Sequence, residues 1–228
     1  MSTELPPQRP DSEAIQILAT EHWSLLATRA LTYQESLGRV NMFLAVFSGA
    51  VIALALVAQA AHFGAAFISI AIFMLSVVFV VGLLTVRRLL MLNRDDYMWV
   101  VAMNRIRRAY LDLHPELEPH ITTGSHDDMA GVLQTLGVDA FGASRIGSIF
   151  HNLVTLPGML GLIVASVGGA IGGLIAFGFG GPPVMVLLVG LLFFLAAEVL
   201  VAMWGRSSVK KPNPIVKARF PTPPKPPT

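Results

Sequence analysis

Two long apolar blocks without a charged residue constrain this chain most. One extends from residue 40 to 86 and the other from 146 to 197, with histidine counted as neutral. A helix needs about 20 apolar residues to cross a bilayer, so each block is long enough for two crossings. The chain is 13% charged, whereas soluble domains carry roughly 25% charged residues. These features predict an all-α integral membrane protein with four transmembrane helices.

A short turn-forming segment divides each block. In the first block, His62–Gly64 is the only plausible turn, between spans at about 41–61 and 65–86. In the second, Gly178–Pro183 (GFGGPP) combines residues that break helices and permit sharp turns. The sequence therefore predicts two transmembrane hairpins, with cytosolic helices before and between them.

Composition divides the whole chain into six segments. They are predicted to be a disordered N-terminus (1–10), a cytosolic or interfacial amphipathic helix (11–39), the first hairpin (40–86), a cytosolic helical region (87–150), the second hairpin (151–205) and a disordered, basic, proline-rich tail (206–228).

All lysines and arginines lie on one side of this topology. Three precede the first hairpin, seven lie between the hairpins and six follow the second, while neither connecting turn carries any. The positive-inside rule then places both termini and the central region in the cytoplasm. We expect a multi-pass protein of the plasma (inner) membrane whose basic residues contact lipid headgroups rather than nucleic acid. The candidate headgroup contacts are Arg39, Arg87, Arg88, Arg206, Lys210 and Lys211.

The central region contains local signals for helix ends. Pro115 predicts the end of a long helix that continues from the second span. Asp95 and Asp96 beside Arg94 favour packing of this helix against another cytosolic helix, because lipid phosphates would repel them. Further on, Ser125 followed by Asp128 resembles an N-cap box, so the pair of aspartates at 127 and 128 would sit in the first turn of a helix that ends near residue 137.

Small residues in the third span follow a four-residue spacing. Such spacing allows two helix backbones to approach closely in lipid. We expect these positions either to pack against the fourth or first span within one chain, or to form a homo-oligomer interface. The residues are Gly161, Ala165, Gly168, Gly169, Gly172 and Gly173.

Glu198 is an acidic residue inside the fourth predicted span. An ionisable residue in a membrane is a functional hypothesis by default. Its position about six residues before Trp204 places it roughly 9 Å from the end of the span. It can serve an ion or proton pathway, or it can face neighbouring helices as a protonated or hydrogen-bonded group. Polar candidates at similar depth are Asn41, Ser48, Thr85 and Thr155.

No enzymatic motif stands out. The chain has no cysteine and no phosphate-binding loop, HExxH or GxSxG motif. The segment around His114, His120 and His126 offers imidazole and carboxylate groups, but their spacing matches no helical metal motif. A solvated loop is therefore expected there, and the sequence predicts no catalytic residues, no cofactor and no metal. A metal-dependent membrane enzyme using this loop is the minor alternative.

Two resemblances add to this interpretation. The order of helix, tight two-span hairpin and charged helix in residues 12–113 resembles the SLATT-type two-helix membrane modules of bacteria. That resemblance implies a role in nucleotide-linked defence and membrane disruption, although the second, glycine-rich hairpin departs from the pattern. NRIRRAYLDLHPELEP (104–119) is similar to uncharacterised bacterial multi-pass proteins and implies no activity.

Two functions from different classes follow. The first is a non-enzymatic interaction or signalling module whose cytosolic helices bind a cytosolic protein or another copy of the chain, with self-association expected. The second is an oligomeric ion or proton pathway that uses Glu198, since four spans are too few for a pore in one chain.

Overall fold

A computed structural model describes residues 10–137, 155–210 and 217–223, and all regular structure in these ranges is helical. The elements are α1 (Pro10–Ala61), α2 (Ala65–Leu113), a 3₁₀ helix (Pro115–His120), α3 (Met129–Leu136), α4 (Leu156–Gly178) and α5 (Pro183–Lys210). This confirms the all-α prediction for the described residues.

Four of these helices are long and apolar enough to cross a membrane. The qualifying stretches are Ser12–Ala61, Ala65–Leu113, Leu156–Gly178 and Pro183–Arg206. Many large apolar side chains on them are exposed, including Phe73 and Leu187 at 70% and 73% exposure. A surface of this kind is favourable in hydrocarbon and costly in water. The prediction of four helices that suit a membrane is confirmed, and the hairpin arrangement and the cytosolic position of the other segments remain predictions.

The helix ends agree with the turn signals. Gly64 donates its N–H to the carbonyl of Ala61 at 2.9 Å and so closes the connection between α1 and α2. At the end of α4, Gly180 has a φ of 75° and Gly181 donates to the carbonyl of Ala176 at 3.0 Å. This is a Schellman motif, which needs a residue in the left-handed conformation and therefore favours glycine.

The chain divides into two compact units. Within the described ranges, the first unit comprises residues 10–33, 95–137 and 217–223. The second unit comprises residues 34–94 and 155–210. We call them the polar unit and the apolar unit. α1 continues through the predicted boundary between residues 39 and 40, and α2 continues through the one between residues 86 and 87, so neither boundary coincides with a helix end.

The apolar unit is built around close contacts of α4. A Cβ added to Gly169 would lie 3.1 Å from the carbonyl oxygen of Gly190 on α5, and one added to Gly172 would lie 2.7 Å from the ring of Phe193. On the other side, a Cβ at Gly168 would lie 2.9 Å from Phe79 of α2. The glycines therefore serve packing within the chain, against α5 as expected and against α2, which the sequence did not indicate.

The remaining small residues of this set follow the same pattern. Gly161 lies against Val201 and Gly173 against Val186, both on α5, and Ala165 is completely buried. The homo-oligomer interface remains an untested alternative.

The polar unit has two small apolar clusters. Leu25 of α1 packs with Met103 and Ile106 of α2, and Val100 and Val132 join α2 to α3. Arg29 and Asp96 form a bidentate ion pair between the two long helices, with N–O distances of 2.6 and 3.2 Å. The pair agrees with the expectation that the acidic residues of α2 face another helix.

Two sequence-based expectations differ from the structure. The helix expected to begin at Ser125 is capped by Asp128, whose side chain accepts the N–H of Gly131 at 3.0 Å; it ends at Gly137, as expected. The tail expected to be disordered from 206 instead continues α5 to Lys210. In residues 217–223, the backbone N–H groups of Arg219 and Phe220 are hydrogen-bonded to Asp127 of the same unit.

Candidate functional site: an aspartate pair that holds a chain segment

Asp127 and Asp128 lie where the loop after the 3₁₀ helix enters α3. Asp127 is 1% exposed, so its carboxylate is almost wholly removed from water. A buried carboxylate is stable only when it is paired or hydrogen-bonded. The solvated loop expected for this region is therefore wrong at Asp127.

The partners of Asp127 come from the far C-terminal part of the chain. Its two carboxylate oxygens accept the backbone N–H of Arg219 at 3.1 and 2.8 Å, and one of them accepts the N–H of Phe220 at 2.8 Å. In return, the N–H of Asp127 donates to the carbonyl of Phe220 at 3.2 Å. Two successive backbone donors thus converge on one carboxylate, as in an anion-binding turn.

Asp128 extends the contact by two residues. One carboxylate oxygen accepts the N–H of Thr222 at 3.0 Å, and the other accepts its hydroxyl at 2.7 Å. The same side chain also caps α3 through Gly131. The side chain of Asp128 therefore binds both the start of α3 and the C-terminal segment at Thr222.

Arg105 of α2 completes the arrangement. Its Nε donates to Asp127 at 2.8 Å, and its Nη2 donates to the carbonyl of Lys217 at 3.0 Å. One guanidinium thus neutralises the buried carboxylate and also binds the start of the segment. We call Arg105, Asp127 and Asp128 the clamp, and residues 217–222 the strap.

Asn104 holds the clamp loop on α2. This side chain is completely buried. Its Nδ2 donates to the carbonyls of His126 and Gly131 at 2.7 and 3.2 Å. Its Oδ1 accepts from Arg107 at 2.7 Å and from the Thr135 hydroxyl at 2.9 Å. Asn104 therefore hydrogen-bonds backbone carbonyls on both sides of the two aspartates.

The loop approaches itself too closely for side chains at two positions. A Cβ at Gly131 would overlap the carbonyl of His126, and one at Gly124 would overlap the carbonyl of Gly131. Both obstacles are backbone atoms, so neither can move aside easily. The glycines therefore allow the backbone to pass close to itself on both sides of the two aspartates.

The electrostatics of the clamp favour ionised carboxylates. Burial by itself raises the pKa of Asp127, but hydrogen bonds from the Arg219 N–H, Arg105 and the Phe220 N–H outweigh it, so the pKa lies below its usual value. Burial acts in the same direction on Asp128, and hydrogen bonds from Gly131 and Thr222 again leave its pKa lowered. The strap is therefore held by two negative charges at neutral pH.

Glu198, the acidic residue predicted within a span, is half-buried in α5. None of the described residues donates a hydrogen bond to its Oε1. None of the polar candidates hydrogen-bonds that atom. Thr155 caps α4 through Gly158, the hydroxyl of Thr85 donates to the carbonyl of Val81, and Asn41 and Ser48 are exposed.

Three of the four arginines expected to meet headgroups contact other side chains of the protein. Arg39 and Arg88 both bind Glu35, at 2.8 and 3.0 Å. Arg87 lies 5.6 Å from the ring centroid of Trp204, and Arg206 is exposed. The side chain of Lys210 and all of Lys211 lie outside the described residues.

The three candidate metal-binding histidines do not form a site. His114 contacts Glu116 at 2.9 Å, and His126 contributes a backbone carbonyl to Asn104. In the described part of the chain, no group of three or more histidine, cysteine, aspartate or glutamate residues is placed to hold a metal ion, and His120 joins none.

Sequence reasoning found the aspartates but assigned them a purely local role. It missed Asn104, Arg105 and the strap. A local signal existed only for Asn104, a polar residue among the apolar positions Val100, Met103 and Ile106 of α2. No family model matches the chain, and neither a curated protein nor a solved structure matches it.

Proposed function

We propose that this protein is a non-enzymatic, multi-pass membrane protein whose polar unit binds a protein partner or another copy of the chain. The four apolar helices support the membrane part of the proposal. The distribution of lysine and arginine supports a plasma (inner) membrane protein with cytoplasmic termini.

The clamp carries the proposal. Among the described residues of the polar unit, its most buried carboxylate binds the backbone of a segment 92 to 93 residues away as well as Arg105 of α2. Recognition of main-chain groups is a general way in which proteins bind peptides.

Exposed apolar side chains on α1 provide further support. Trp23, Ile17 and Leu31 are 69%, 63% and 64% exposed. They lie in a stretch that also carries Glu13, Glu21 and Arg29 and is therefore poorly suited to hydrocarbon. An exposed tryptophan is a frequent anchor of protein interfaces.

Photo-crosslinking in intact membranes tests this function. A photoreactive amino acid at position 23 should yield a discrete protein adduct, either with a partner or with a second copy. The matched control is position 187, which is similarly exposed but lies in a purely apolar helix and should label lipid. If position 23 yields only uncrosslinked protein, and the purified protein is a monomer in nanodiscs, the interaction role is excluded.

A second function is supported by Glu198. A carboxylate oxygen without a donor among the described residues is costly unless the group is protonated or meets a mobile ion or water. An oligomeric ion or proton pathway would use it in that way. The test is ion or proton flux into liposomes that contain the protein. Equal flux with wild type and Glu198→Gln would remove this residue from any pathway.

A further inference from the structure

We propose that the clamp is a peptide-recognition site for a basic segment that bends at two successive residues, followed by proline and then by threonine or serine. The strap of this chain occupies the site in cis, so a partner segment binds only by displacing it. This inference rests on the proposed interaction function and names the chemistry of the ligand.

The pattern of backbone contacts defines the ligand. The N–H groups of Arg219, Phe220 and Thr222 are bound by the two aspartates, whereas the intervening Pro221 has no N–H to offer. Proline stands at the one position of this four-residue stretch where a donor is not used. Its fixed φ also reduces the freedom that the segment loses on binding.

The side chains add a second level of selection. The Thr222 hydroxyl donates to Asp128 at 2.7 Å, a contact that serine can reproduce and valine cannot. The clamp carries two carboxylates and one guanidinium, so it keeps a net negative charge. Lys217 and Arg219 of the strap bring the opposite charge with exposed side chains. An acidic segment would be repelled by the same surface.

Because the strap of the same chain occupies the clamp, binding of a partner segment is regulated by release of the strap. A ligand on the same polypeptide competes at an effective concentration on the order of millimolar. A free peptide of modest affinity therefore fails to bind while the strap is in place. Weakening of the strap, or a locally concentrated partner, opens the clamp.

The test uses the full chain in nanodiscs and a fluorescein-labelled peptide with the sequence of residues 217–224 (KARFPTPP). The opened variant combines Phe220→Pro, which removes an N–H bound by Asp127, with Thr222→Val, which removes the hydroxyl bound by Asp128. Fluorescence anisotropy should show at least tenfold tighter peptide binding to this variant than to wild type. Addition of Asp127→Asn to the opened variant should abolish binding.

Two controls keep the outcome unambiguous. Pro221→Ala changes the same tail without removing a bound donor, and it should shift peptide affinity by less than about fivefold. A peptide with phosphothreonine at the threonine position should fail to bind, because phosphate adds about two negative charges beside the aspartates. Circular dichroism and thermal unfolding verify that the opened variant keeps its helices.

Equal peptide binding to wild type and to the folded, opened variant would overturn the proposal, and so would no binding to either. Failure of this peptide-binding test can be distinguished from failure of the proposed interaction function. Peptide binding without any adduct from position 23 would leave the clamp as a site for its own tail alone, whereas an adduct without peptide binding would place the interface elsewhere.

Discussion

The carboxylate of Asp127 accepts the backbone N–H of Phe220 at 2.8 Å, across a separation of 93 residues in the sequence. One end of this contact belongs to the loop before α3, and the other belongs to the segment that follows α5. The chain leaves the polar unit, forms both α4 and α5 in the apolar unit, and returns to the polar unit. Asp127 therefore holds the last described segment together with Asp128 and Arg105.

Asp127→Asn should release the strap and destabilise the polar unit. The neutral amide keeps the shape but loses the charge that binds two N–H groups and Arg105, and hydrogen bonds to charged groups contribute about 1.5–3 kcal/mol each. We expect a loss of about 2–4 kcal/mol and faster hydrogen exchange at Arg219 and Phe220. The control is Asp112→Asn, which breaks a solvent-exposed ion pair with Arg108 and should cost less than about 1 kcal/mol. Unchanged exchange at Phe220 would contradict the prediction.

Acid should open the clamp at a pH set by its carboxyl groups. The pKa values of Asp127 and Asp128 lie below the usual 3.8 in the folded protein, so the unfolded chain takes up protons first as the pH falls. The two carboxylates therefore contribute fully to stability above the pKa of the unfolded chain. This contribution is lost as the pH falls through the lower pKa values of the folded protein. The amide signals of Arg219 and Thr222, followed by NMR between pH 6 and 2, measure the release. A strap that detaches at pH 5 to 6 would show that other groups control it.

Asn104→Leu should destabilise the polar unit, even though leucine and asparagine are similar in size. Leucine fits the buried position but leaves the carbonyl of His126 without the donor that it now has, whereas the Gly131 carbonyl, Arg107 and the Thr135 hydroxyl each keep another contact. An unsatisfied buried group costs about 1–3 kcal/mol, so we expect a loss of about 1–3 kcal/mol in denaturant unfolding of the polar unit. Asn93→Ala, at an exposed position of the same helix, should stay within about 0.5 kcal/mol. Similar losses for both variants would contradict the assigned role.

Gly169→Val should separate α4 from α5. The first added carbon would already lie 3.1 Å from the carbonyl of Gly190 and 3.3 Å from Phe194, and the branched side chain needs more room still. Overpacking costs about 1–3 kcal/mol, so the thermal unfolding midpoint in detergent should fall. Gly49→Ala is the matched control, because nothing lies within 4 Å of a Cβ at that position. A midpoint unchanged by Gly169→Val would mean that this contact contributes little to stability.

Much of the architecture follows from local sequence. The breaks at His62–Gly64, Gly178–Pro183 and Pro115 were predictable because a turn residue acts on its immediate neighbours. The glycines at 169 and 172 were identifiable as packing positions, but α2 as an additional neighbour was not, because helix spacing defines a face without naming its partner. That Thr155 and Thr85 lie at a depth similar to Glu198 remains a prediction, and each hydroxyl bonds within its own helix.

The sequence by itself determined the helical class, the breaks between the long helices and the four stretches that suit a membrane, since these depend on hydrophobicity and on residues close together in the chain. Only the tertiary structure decided what Asp127 and Asp128 do. Composition marked both the aspartate loop and the basic tail as solvated, because each is polar when considered alone. Brought together, the carboxylates and the backbone N–H groups of the strap satisfy one another, so the burial of Asp127 becomes favourable only through a partner 93 residues away.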